Sequence, residues 1–227
     1  MSESKIINDI LNIFFNSNFV SKYTVIKINP KFPLISFNSD LDILVHDIKL
    51  FKNELDSKSK KSNKIFIRFK SLNYYHAHYD IFDIDTKILI LRFDLYSTLP
   101  QYNVINLKNN LFIDVILCSS LKKIKLTNSI IFVSLPDNLF DLTFRYIEYY
   151  EFFWTGSKKD HHIEFIKKAF LNDPTILKAF LNHIHHYVEI PTNFHSKYST
   201  LIQNYKNKLK FKYYIKKFLS RFLNINL

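Results

Sequence analysis

Glycine is almost missing from this chain: of 227 residues, only position 156 is glycine. That scarcity excludes a Walker A loop, a GxGxxG dinucleotide turn and a GxSxG nucleophile elbow, which use glycines to bring backbone against phosphate or to turn sharply. Turns must rest instead on Asn, Asp and Ser, which cap their own backbone or tolerate left-handed conformations. Cysteine is equally scarce. Cys118 stands alone, so no disulfide can form within the chain, and a reducing compartment fits. Its place in the apolar run Val115-Ile-Leu-Cys118 predicts a buried, inert thiol. No apolar run approaches the ~18 to 20 residues of a membrane span. The first twenty residues are broken by Asn8, Asp9, Asn12, Asn16 and Asn18 and offer no signal-peptide core. The expectation is a cytoplasmic protein.

Acid is missing from one stretch. From Ile190 to Leu227 there are eight basic residues and none acidic, whereas the first 189 residues hold 24 basic and 20 acidic side chains. The overall charge of +12 therefore divides into a nearly neutral body and a cationic tail. What is abundant is apolar and aromatic: 47% hydrophobic residues, with 14 Tyr and 23 Phe, enough to exclude wholesale disorder.

Periodicity divides the chain into an α/β half and a helical half. Ile6 to Phe15 has helical spacing, as does His46 to Leu55. Lys22–Ile28, Asp40–Val45, Lys64–Phe69, His76–Ile84, Lys87–Tyr96 and Ile130–Val133 read as strands, with a tight turn at Asp85-Thr86. Asn110–Ser120 fits helix or strand. Phe140–Phe153, Lys158–Leu171 and Pro174–Val188 have a 3.6-residue period, with Asp173 as N-cap and Pro174 in the first turn of the third. The expected class is α+β: a small mixed sheet with flanking helices, then an all-helical C-terminal half. The expected parts are a core over 1–135, a helical region completing a substrate cleft over 136–190, and a basic amphipathic helix over 191–227.

The most informative stretch is Ser39-Asp-Leu-Asp-Ile-Leu-Val45. In a strand, Asp40 and Asp42 share one face while Leu41, Ile43 and Val45 share the other. Paired hard oxygen donors suit Mg²⁺, which carries nucleotide phosphates with it. A second strand places Arg92, Asp94 and Tyr96 opposite Leu91, Phe93 and Leu95. An acid on so apolar a strand calls for a partner or a metal. Asp94 is thus a candidate third ligand, with Arg92 as its ion-pair partner or a phosphate contact. The plainer readings are a solvated edge or helix cap for Asp40 and Asp42, and a structural ion pair for Asp94 with Arg92.

This DxD strand, the helix after it and the later Phe93-Asp94-Leu95 strand resemble the nucleotidyltransferase superfamily of DNA polymerase beta. Within it, the chain is most similar to bacterial nucleotidyltransferase-like proteins associated with surface-polysaccharide genes. The segments Leu142–Glu151 and His161–Ile166 resemble their C-terminal half. The resemblance spans roughly Tyr23 to Ile190. It implies Mg²⁺ on Asp40 and Asp42, and an Asp94 that completes the site and activates an acceptor hydroxyl. The implied reaction is nucleotidyl transfer from a nucleoside triphosphate to a sugar, sugar phosphate or similar small acceptor. Active relatives carry a Gly-Ser pair before the DxD strand; here Lys31 to Ser39 has no glycine, leaving Ser36 or Ser39 to offer a hydroxyl to the nucleotide.

Other readings share these residues. One is a degenerate protein that binds a nucleotide or a partner without turnover. Another is a DxD glycosyltransferase, though only 39 residues precede Asp40, against the long nucleotide-binding region that normally does. His76-Ala-His78-Tyr-Asp80 resembles the metallo-β-lactamase HxHxDH motif but ends in Ile81; His78 and Asp80 bordering the nucleotide site is the milder reading. His161, His162, His183, His185 and His186 read as surface or capping histidines. Asp141, Arg145 and Glu148 form one helical face, as a charge ladder or a substrate contact. In the tail, Phe211, Tyr214, Phe218 and Phe222 alternate with Lys210, Lys217 and Arg221. Such a helix packs on its neighbours or lies on an anionic inner-membrane surface; nucleic acid is not the expected partner.

Overall fold

The structure, a computed structural model, describes residues 3–16, 19–29, 31–98, 106–108, 110–126, 130–154 and 160–189. The expected tail helix, the Gly156 turn and the basic stretch from 191 onward lie outside the described residues. In chain order the elements are α1 (Glu3–Phe15), β1 (Tyr23–Val25), β2 (Ser39–Val45), α2 (Ile48–Ser59), β3 (Ile65–Asn73), β4 (His76–Asp83), β5 (Leu89–Tyr96) and β6 (Asn106–Leu107). There follow α3 (Asn110–Cys118), β7 (Ser120–Lys125), β8 (Ile130–Leu135), α4 (Asn138–Trp154), α5 (Asp160–Asn172), α6 (Pro174–Tyr187) and β9 (Val188–Glu189). The class is α+β, a five-stranded mixed sheet with flanking helices and further helices later in the chain.

Two compact units divide the chain: residues 1–101 with 109–144, and residues 102–108 with 145–227. In the first, the sheet runs β1-β2-β5-β4-β3. β2 and β5 are parallel; the other neighbours are antiparallel. A parallel pair needs a long crossover, and here α2 with the β3–β4 hairpin supplies it. One face of the sheet is apolar. Leu41 and Ile43 of β2, Tyr79 and Ile81 of β4, and Leu91 and Phe93 of β5 pack with Ile10, Leu11 and Phe14 of α1 and Phe51 and Leu55 of α2. Phe14 meets Phe93 edge-on, with centroids 5.3 Å apart. The period-2 alternation that buries these residues forces their neighbours onto the opposite face.

Without glycine, the turns use Asp and Asn as the composition predicts, but left-handed positions fall on lysine as well. In the β4–β5 turn, Asp83 Oδ1 accepts from the Asp85 and Thr86 amides at 3.1 and 2.7 Å, and Lys87 takes a positive φ of 61°. Asn38, at φ 62°, turns the chain into β2. α2 is capped by Asp47, whose side chain accepts from the Leu50 amide. Asn110–Cys118, open between helix and strand, is the helix α3. Its buried residues are Leu111, Phe112, Val115 and Ile116, which leaves Leu117 59% exposed and Cys118 exposed. The expectation of a buried thiol is therefore corrected: Cys118 shares the helical face of Leu111 and Val115 but is the last residue of α3, where the buried stripe ends.

In the second unit, Asp173 caps α6 with Pro174 in its first turn, as the sequence predicts. Ile163, Ile166, Phe170, Leu177, Phe180 and Ile184 are buried, and the Phe170 and Phe180 rings meet at 5.5 Å. β6 pairs with β9. Arg145 is buried, its guanidinium 3.9 Å from the centre of the Phe165 ring, and His162 is buried with Nε2 3.0 Å from Glu148 Oε2. His162 is therefore a core residue and not a surface one, because α5 turns it toward a carboxylate that compensates its burial.

Candidate functional site

The polar face of the sheet follows from its register. Cα partners place Arg68, Asp80, Arg92 and Asp40 side by side across β3, β4, β5 and β2. The next row of the same face is Lys70, His78, Asp94 and Asp42, and His76 stands opposite Tyr96. The first row alternates in sign, which is the favourable order for cross-strand charges. The second sets two carboxylates side by side, an unfavourable order unless another charge or ligand compensates it.

In the first row, Asp80 is closed. Its side chain is 2% exposed and meets Arg92 Nε at 2.6 Å and Arg68 at 2.9 Å. Burial alone would raise the Asp80 carboxyl, but the hydrogen bonds and charges of Arg92 and Arg68 outweigh it and hold the group below the usual carboxylate range. The same hydrogen bond raises the Arg92 guanidinium. The expected Arg92–Asp94 ion pair is thereby corrected: Arg92 lies directly across from Asp80, while Asp94, two residues on, faces His78.

In the second row, Asp94 is held by titratable and hydroxyl groups. His76 Nε2 lies 2.6 Å and His78 Nε2 3.2 Å from the same oxygen, Asp94 Oδ1. The Tyr96 hydroxyl donates to Oδ2 at 2.8 Å, and its ring stacks on His76 with centroids 4.4 Å apart. Burial pushes the His78 imidazole down, against the pull of Asp94. Each of these side chains is part-exposed, 17% for Asp94 and about 20% for the imidazoles.

Asp42 Oδ2 pairs with Lys27 Nζ at 3.0 Å. Lys27 holds a positive φ of 52°, a conformation that costs a non-glycine residue about 1 kcal/mol. Asp40 is exposed. Desolvation and the nearby Asp94 and Asp80 raise its carboxyl, while Arg92 and His78 lower it, with a net upward shift. The Ser39 hydroxyl donates to the Ser36 carbonyl at 2.7 Å.

The structure thus brings Asp40, Asp42, Arg92 and Asp94 onto one face, as the alternation of β2 and β5 predicts. Ser39 stands at the start of β2, on the opposite parity. Among the described residues, one group of three ligand-bearing side chains converges within 4.8 Å: His76, His78 and Asp94. Asp40 and Asp42 are not part of it. The sequence signal for His76 and His78 was the HxHxD run; that motif grouped them with Asp80, whereas the register closes Asp80 with arginines and gives the histidines Asp94. A separate cleft of about 820 Å³ lies in the same unit, lined by Val20, His46, Leu50, Glu54, Ile113 and Leu117 among others, and includes none of the sheet's charged rows.

No helix among the described residues is long and apolar enough to cross a membrane. Comparison with known proteins finds no matching family model, no matching curated protein and no matching solved structure.

Proposed function

We propose that the charged face of β2 and β5 binds a nucleoside triphosphate and transfers its nucleotidyl group to a small hydroxyl-bearing acceptor of the sugar or sugar-phosphate class. The observation that carries this reading is the parallel register of the two strands, which pairs Asp40 with Arg92 and Asp42 with Asp94 while α1 and α2 cover the opposite face. Asp40 and Asp42 have the oxygen-only donor chemistry that Mg²⁺ selects; Asp94, grouped with two imidazoles, does not. Mg²⁺ held by the β2 pair would supply charge neutralisation of the triphosphate.

The chain's own residues do the rest. Arg92, on the same face as Asp94 and next to Asp40, offers guanidinium N–H groups to phosphate oxygens in the geometry such anions favour. Asp94, fixed by His76, His78 and Tyr96, accepts the proton of the acceptor hydroxyl as that oxygen attacks the α-phosphorus. One P–O bond forms to the acceptor, the bond to the bridging oxygen breaks, and pyrophosphate leaves.

Titration calorimetry with each nucleoside triphosphate, with and without Mg²⁺, tests the reading. Binding should require Mg²⁺ and weaken at least about tenfold in Asp42→Asn, the loss of one of two charged ligands. Failure of every triphosphate to bind would overturn it. The Lys27–Asp42 ion pair favours a second reading, nucleotide binding without turnover, because Lys27 already neutralises a carboxylate that the metal needs. Triphosphate binding that ignores both Mg²⁺ and Asp42→Asn would decide for that reading.

A further inference from the structure

We infer that His76, His78 and Asp94 form a binding site for a transition-metal dication, with Zn²⁺ the best match to the donor set and distinct from any Mg²⁺ at Asp40 and Asp42. The argument starts from convergence. Both imidazoles aim the same nitrogen, Nε2, at the same carboxylate oxygen, at 2.6 and 3.2 Å, and the three ligand atoms lie within 4.8 Å of one another. Bonds of about 2.1 Å to Zn²⁺ in a tetrahedral site separate neighbouring donors by about 3.4 Å. The His78–Asp94 spacing meets that already, and the His76–Asp94 spacing needs an adjustment of about 1 Å.

Position in the sheet brings the group together. His76 and His78 are alternate residues of β4, so they share a face, and β5 presents Tyr96 and Asp94 directly opposite them. Outer contacts orient the ligands in the way metal ligands are usually oriented. The Tyr96 hydroxyl holds Asp94 Oδ2, leaving Oδ1 toward the imidazoles, and the Tyr96 ring stacks on His76.

Donor chemistry then selects the ion. Two nitrogens and one oxygen suit first-row transition ions, while Mg²⁺ prefers oxygen alone. Three protein ligands are also the number found where a fourth position stays open to water or a substrate oxygen. With the ion bound, Asp94 would serve as its ligand and not as the base assigned above, so the site stands apart from the transfer reading.

The test uses Co²⁺, whose visible d–d absorption reports nitrogen ligation, titrated into the metal-stripped full-length chain. The expected result is a saturable band at one Co²⁺ per chain. Zn²⁺ should displace it, and roughly a hundredfold excess of Mg²⁺ should not. The double variant His76→Gln/His78→Gln should abolish the band. Cys118→Ser should retain it, which separates the site from the exposed thiol. If the double variant does not fold, Tyr96→Phe keeps all three ligands and should weaken Co²⁺ binding about 10- to 100-fold. No band, a band that survives loss of both histidines, displacement by Mg²⁺, or unchanged affinity in Tyr96→Phe would each overturn the inference. The nucleotide reading fails separately: Asp42→Asn should leave the band intact, so absent triphosphate binding beside an intact band overturns only the transfer proposal.

Discussion

Asp80 and Asp94 stand on adjoining strands, on the same face of one sheet, and are satisfied in opposite ways. Asp80 is held by two arginines, cations that never release their protons. Asp94, one row along, is held by two imidazoles and a phenol, groups that can exchange a proton or turn their nitrogens to a metal. The first carboxylate is saturated and serves the sheet. The second keeps chemistry available. What separates them is two residues along each strand, since Arg92 faces Asp80 and His78 faces Asp94.

The sharpest way to break that comparison is to neutralise each acid in turn. Asp80→Asn removes the hydrogen-bonded partner of Arg92 and leaves Asp40 and Asp94 as its nearby counter-charges, and should destabilise the fold by about 2 kcal/mol, the exposed Arg68 arm contributing little. Asp94→Asn keeps the size and most hydrogen bonds, and should cost about 1 kcal/mol while removing Co²⁺ binding. Urea unfolding of the two variants checks the ranking; equal losses would mean that both acids are structural.

Lys58 sharpens the comparison from the cationic side. Its ammonium is buried, 3.5 Å from the centre of the Phe19 ring and 3.5 Å from the Phe14 carbonyl. Burial pushes it down from 10.5 to about 8, with Glu54 opposing that shift and Lys61 adding to it. Between pH 10.5 and 8 the unfolded chain takes up a proton that the folded chain refuses, so stability falls as pH falls through that window and rises again toward pH 10.5. The unfolding midpoint of the protein relative to Lys58→Met should therefore climb from pH 8 upward. A flat difference would show that Lys58 is solvated in the folded state.

The smallest effect is expected at Lys27. Its pair with Asp42 is partly exposed, so Lys27→Asn should change stability by under about 1 kcal/mol, Asn being at ease at positive φ. Released from its partner, Asp42 should hold Mg²⁺–nucleotide more tightly, which calorimetry reads directly. Weaker binding in Lys27→Asn would place the lysine on the phosphates instead.

Much of this was legible in the chain. The alternation of Asp40-Leu-Asp-Ile-Leu-Val45 and of Leu89 to Tyr96 determines which residues share a face, because a strand has a period of two. The α1 and α6 helices and the Asp173 cap follow from local rules of the same kind. Pairing does not. Whether Arg92 serves Asp80 or Asp94 depends on β4 lying beside β5 at one register, and nothing local to either strand sets it. The same holds for Cys118, exposed at the end of α3 although it belongs to an apolar run, and for His162, whose burial depends on Glu148 from another helix. Local sequence decided the two faces of this sheet; tertiary pairing alone decided which acid is sealed by arginine and which stands between two histidines, because strand partners are chosen by long-range packing.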